Sequence, residues 1–78
     1  MSKWEDGKRN GEIVESEIVC GRFRLSVHHY IGNGEVWFAS CHGLMHRITL
    51  TSPTIGGAKK EAKIKLKEIL KTAINELA

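Results

Sequence analysis

The hydrophobic period of this chain changes at Pro53, and that change decides most of what it can fold into. Before the proline, apolar residues alternate with polar ones in short runs separated by glycine. After it, Ala62, Leu66, Ile69, Leu70, Ala73, Ile74 and Leu77 recur at intervals of three and four. Period two marks a half-buried strand, and period 3.6 marks an amphipathic helix. A chain of 78 residues has room for one core, so the helix stripe has only the apolar face of the sheet to pack on. The expected fold is α+β: a four-stranded antiparallel β-meander over residues 12–52, with one C-terminal helix over residues 57–77 packed on one face. Residues 1–11 read as a polar lead-in whose only anchor is Trp4.

Turn chemistry proposes a register. Asn10-Gly11 is a turn signal at the end of the lead-in. Asn33-Gly34 favours a two-residue type I′ hairpin, because both central positions need positive φ. That choice sets Tyr30 opposite Trp37 and His29 opposite Phe38. A three-residue loop His42-Gly43-Leu44 then sets Phe38 against Ile48 and Val36 against Leu50. With Cys20-Gly21 as the first turn, Ile18 meets Phe23, Val14 meets Val27 and Glu17 meets Arg24. The expected core face is Val14, Ile18, Phe23, Leu25, Val27, Ile31, Val36, Phe38, Ile48 and Leu50. Agreement of three turns on one apolar face is the argument for the register.

The opposite face has no second helix to cover it. This register gives it Arg24, Ser26, His28, Tyr30, Trp37, Ala39, Cys41, Met45, Arg47 and Thr49. An uncovered Trp-Tyr pair between arginines has the composition of an interface hot spot. The structural reading of the same residues is that Trp4 and the lead-in fold over them. Both stay open here.

The formal net charge is +3, and its distribution is uneven. Residues 1–17 carry net −2, residues 18–55 net +2 and residues 56–78 net +3. Lys59, Lys60, Lys63, Lys67 and Lys71 line one flank of the expected helix, which is either a track for phosphates or a solvated face. No apolar run approaches the roughly 18 residues of a membrane span, and the polar start reads as no signal peptide. Cys20 and Cys41, the only cysteines, read as reduced thiols of a cytoplasmic protein.

Cys20, Cys41, His28, His29, His42 and His46 lack the tight paired spacing of a structural metal site. Cys41 with His28 lacks a third group to orient the histidine. No nucleophile elbow, P-loop or paired-carboxylate pattern occurs. The expectation is a protein that is not an enzyme and needs no cofactor or metal.

Gly56-Gly57-Ala58-Lys59-Lys60-Glu61-Ala62-Lys63 resembles the start of the last helix of double-stranded-RNA-binding domains. In that family a glycine turn and a K-K-x-A-K box set lysines on phosphates across the major groove. The resemblance implies that role for Lys59, Lys60 and Lys63, with Lys67 one turn further on. It departs from the family in two places: the first helix has no counterpart in residues 1–20, and Ala58 stands where the family has serine. Hairpins followed by one long helix also look like small antitoxins of the HicB type, without their acidic sheet motifs. In size and character the chain is similar to accessory proteins of bacteriophages and mobile elements, anti-CRISPR and other anti-defence inhibitors among them.

The leading expectation is therefore a non-catalytic protein-binding module, an inhibitor that docks on a larger host protein or ribonucleoprotein complex. Its expected binding residues are Arg24, His28, Tyr30, Trp37, Arg47 and Thr49. The alternative is nucleic-acid binding through Lys59, Lys60, Lys63 and Lys67. A homodimer is also open, through the edge at residues 45–51 or through the aromatic face. The other expected edge, Glu12–Cys20, is guarded by Glu12, Glu15 and Glu17.

Overall fold

Three glycine-bearing turns organise the strands of the computed structural model, which describes residues 3–29 and 36–77. Asn10 and Gly11 both take positive φ, 54° and 81°, the type I′ pattern that matches strand twist. They join β1 (Glu5–Arg9) to β2 (Glu12–Cys20), with Arg9 opposite Glu12. The expected lead-in is therefore partly a fifth strand. Its sequence, Glu-Asp-Gly-Lys-Arg, has no apolar alternation, so only pairing with β2 makes it a strand. Residues 12–20 are consequently not an edge.

At the next turn Gly21 alone has positive φ, 61°, the pattern of a type II′ turn at Gly21-Arg22. It pairs Cys20 with Phe23 and Ile18 with Leu25 across to β3 (Phe23–His29). Each partner has moved two residues from the expected register, which preserves the face of every side chain. Gly43, at φ 81°, closes the third turn between β4 (Trp37–Cys41) and β5 (Met45–Thr49). There Cys41 opposes Met45 around the three-residue loop the sequence predicts.

The sheet is a five-stranded antiparallel meander in the order β1-β2-β3-β4-β5. Its helix α1 (Ile55–Leu77) crosses one face. Thr54 supplies the cap: its hydroxyl accepts from the Gly57 N–H at 3.2 Å and its carbonyl from Ala58 N–H at 2.8 Å. The helix thus starts two residues before the expected Gly57. No helix among the described residues is long and apolar enough to cross a membrane.

One register differs by a single residue, and it reorganises the core. The Asn33-Gly34 turn, with Tyr30 and Ile31, lies outside the described residues, but His29 opposes Trp37 and His28 opposes Phe38. A one-residue shift turns all of β4 over. Trp37, Ala39 and Cys41 are buried with Ile18, Leu25, Val27, Met45 and Leu50 beneath Ala58, Ala62 and Leu66. Val36 and Phe38, expected inside, are only half-buried, as is Val14, while Phe23 is exposed.

The reason lies in which set of alternate residues is wholly apolar. Residues 37, 39 and 41 are Trp, Ala and Cys; residues 36, 38 and 40 are Val, Phe and Ser. Burying the first set leaves no hydroxyl to satisfy and places the largest side chain inside, where its indole N–H donates to the Pro53 carbonyl at 3.3 Å. It also puts fully buried Ala39 in one core cluster with the fully buried Ala58 and Ala62 of the helix. A bulge completes the arrangement. Met45 and Ile48 are three residues apart and belong to opposite faces of a regular strand, yet both join the core. Arg47, at φ 47°, absorbs the extra residue, so that Ile48 opposes Ala39 and Thr49 opposes Phe38.

Candidate functional site

Turning β4 over changes what the open face offers. Trp37 is only 4% exposed and stacks on His29 with centroids 4.9 Å apart on the helix side. The expected Tyr30–Trp37 surface pair is thus not present: Trp37 is core, and Tyr30 lies outside the described residues. Ala39, Cys41 and Met45 leave the open face with it. Burial pushes the Cys41 thiol above its usual range, the opposite of what a nucleophile needs.

Four of the six expected residues do share the open face: Arg24, His28, Arg47 and Thr49, by the register of β3, β4 and β5. Phe38 takes the place assigned to Trp37. Its ring stacks on His28 at 5.9 Å between centroids and 23° between planes. Burial, followed by the Arg47 charge, holds His28 below the ordinary histidine range, while Glu15 pulls the other way. The Ser40 hydroxyl accepts from the Arg47 backbone N–H at 3.3 Å, tying the bulge to β4.

Toward β1 the same face is acidic. Glu5 opposes Glu17, and Gly7 opposes Glu15. A Cβ on Gly7 would lie 2.6 Å from the Glu15 side chain that crosses it, so any larger residue there has to displace that side chain. Glu5, Gly7, Glu15, Glu17, Ser26 and His28 line a shallow depression of about 340 Å³. Arg24 meets Glu17 diagonally at 3.4 Å. An acidic half therefore grades through the His28–Phe38 pair into a half bearing Arg47. Sequence reasoning missed Phe38 and the Glu5–Glu15–Glu17 row. The signal for Phe38 was the wholly apolar 37/39/41 set; the acidic row had none, because β1 does not read as a strand.

The lysine flank is partly occupied by the chain itself. Lys59 Nζ lies 3.1 Å from Asp6 Oδ1, and Lys59 and Lys63 stand 5.4 and 5.8 Å from the centre of the Trp4 ring. The buried Ser16 hydroxyl donates to the same Asp6 oxygen at 2.5 Å. The Ser16 hydrogen bond, then that of Lys59, lowers the Asp6 pKa. Trp4 thus covers the helix flank, not the open face. Lys60, Lys63 and Lys67 remain exposed. Among the described residues, no three His, Cys, Asp or Glu side chains group to hold a metal ion. No protein-family model, curated protein or solved structure matches the chain.

Proposed function

We propose that the chain is a non-catalytic protein-binding module that docks its open sheet face on a larger protein or ribonucleoprotein, as a small inhibitor does. The observation that carries this reading is the His28–Phe38 stack on the face without a helix, set between the Glu5–Glu15–Glu17 row and Arg47. An aromatic centre with charges of both signs around it suits recognition of a protein surface. The nucleic-acid reading has less support, because Lys59 and Lys63 are engaged by Asp6 and Trp4.

The test is capture from bacterial lysate by the tagged chain, with and without nuclease, beside a Phe38→Ala/Arg47→Ala variant. A partner that survives nuclease and is lost by that variant, whose circular dichroism is unchanged, supports the open face. Retention by the variant overturns it. A signal that vanishes with nuclease, falls steeply with salt and is lost in Lys60→Glu/Lys67→Glu moves the function to the helix.

A further inference from the structure

The sheet accounts for only part of the helix. Ala58, Ala62 and Leu66 are buried against it, Ile69 and Leu70 are partly covered, and every described residue from 71 onward is exposed. The apolar stripe does not stop there. Ala73, Ile74 and Leu77 continue it, with Ile74 66% and Leu77 87% exposed. A 23-residue helix is about 34 Å long, and its last two turns overhang the domain with their apolar side uncovered. Large exposed aliphatic side chains in one patch mark an association surface.

We propose that this overhang pairs with the same overhang of a second copy, the two helices running antiparallel. The surface is separate from the open sheet face and does not depend on its function. Two observations choose the occupant and the direction. First, the sheet lies on the same stripe in the N-terminal half, so a parallel pair would drive two sheets into one volume. An antiparallel pair sends them to opposite ends. Second, the helix has no basic residue in its last turn to balance its terminal carbonyls. In an antiparallel overlap centred on residues 73–74, each helix C-terminus falls, at about 1.5 Å per residue, between Lys67 and Lys71 of the other copy. Both lysines are exposed, on one flank at about 70° and about 110° from the centre of the Leu70, Ala73, Ile74 and Leu77 patch. The apolar contacts are Leu70, Ala73, Ile74 and Leu77, and the contact is isologous. The overlap is about two turns per copy, below the ~800 Å² per partner of a standard interface, so the dimer is weak and concentration-dependent.

Sedimentation equilibrium of the full chain from about 10 to 500 μM tests this. The expected result is a mass rising from 8.7 kDa toward twice that value, and held at the monomer value throughout in Ile74→Asp/Leu77→Asp. Both side chains are exposed, so that variant should keep its helical circular dichroism. Lys67→Glu should weaken association about threefold or more, by setting a carboxylate against the partner's helix end. Arg47→Glu should leave association unchanged, which separates this contact from the open face. A monomer over the whole range, or undiminished association in Ile74→Asp/Leu77→Asp, overturns the proposal.

Discussion

Trp37 and Phe38 are neighbours in one strand, both aromatic, yet one is sealed beneath the helix and the other stands half-buried on the face without the helix. The contrast shows that the inside of this sheet was chosen by sets of alternate residues, not by single side chains. Phe38 shares its side with Ser40, whereas Trp37 shares its side with Ala39 and Cys41. The cheaper burial is the set without a hydroxyl, and its small members let the helix approach. One face therefore holds the helix, while Phe38 and Ser40 lie on the other.

The sharpest way to break that comparison is truncation on each side. Trp37→Ala should cost about 3–5 kcal/mol in urea unfolding, from lost burial and the cavity left behind. Phe38→Ala should cost less than half as much while removing partner capture. Equal costs for the two would mean that the faces are not functionally divided.

The paired glycines at the helix start give a smaller, signed contrast. A Cβ on Gly56 meets nothing within 4 Å, whereas one on Gly57 would stand 2.8 Å from Ser52 Cβ and Oγ. Gly56→Ala should then raise stability by about 0.5–1 kcal/mol through helix propensity and a more restricted unfolded chain. Gly57→Ala should lower it, by about 1 kcal/mol or more, because the close approach of α1 to residue 52 is lost. Thermal unfolding of both variants reads the sign directly.

The smallest effect concerns the strap between helix and sheet. The Glu61 carboxylate accepts from the Thr51 N–H at 2.9 Å, the Ser52 N–H at 3.0 Å and the Thr51 hydroxyl at 3.0 Å. Burial raises its pKa, but these hydrogen bonds together outweigh burial and leave it below the ordinary value of 4.5. A depressed folded-state pKa means stability that is complete above the unfolded value and is lost as pH falls through the folded one. Glu61→Gln should thus flatten the decline in stability below about pH 4.5 and cost under about 1 kcal/mol at neutral pH. An acid limb as steep as in the parent would assign that decline to other carboxylates, Asp6 first.

Much of the architecture was legible in the residues, for reasons that can be named. The 3.6-residue stripe after Pro53 marked the helix to within two residues at its start, and Gly43 with the apolar pairs around it marked the loop at residues 42–44. β1 was illegible because an edge strand of charged residues carries no period. The candidate site was half legible. Arg24, His28, Arg47 and Thr49 fell on the face expected of them, since β3 and the far end of β5 kept their faces. Trp37 did not: the agreement of three turns set His29 against Phe38, whereas His29 opposes Trp37, and a one-residue difference inverts every side chain of the strand.

By itself the sequence determined the elements that depend on local chemistry: strands from alternation, turns from residues tolerant of positive φ, and a helix from its stripe. It also determined that the helical pattern of these residues forms a single stretch, enough to cover one sheet face. Only the tertiary structure decided which face that was for β4, how the bulge at Arg47 brings both Met45 and Ile48 inside, and where Trp4 and the lysines meet. Those outcomes depend on packing between segments far apart in the chain, where Ala39 joins Ala58 and Ala62 in one buried cluster. Local preference is nearly indifferent between Trp37 and Phe38; the shape of the helix that closes over them is not.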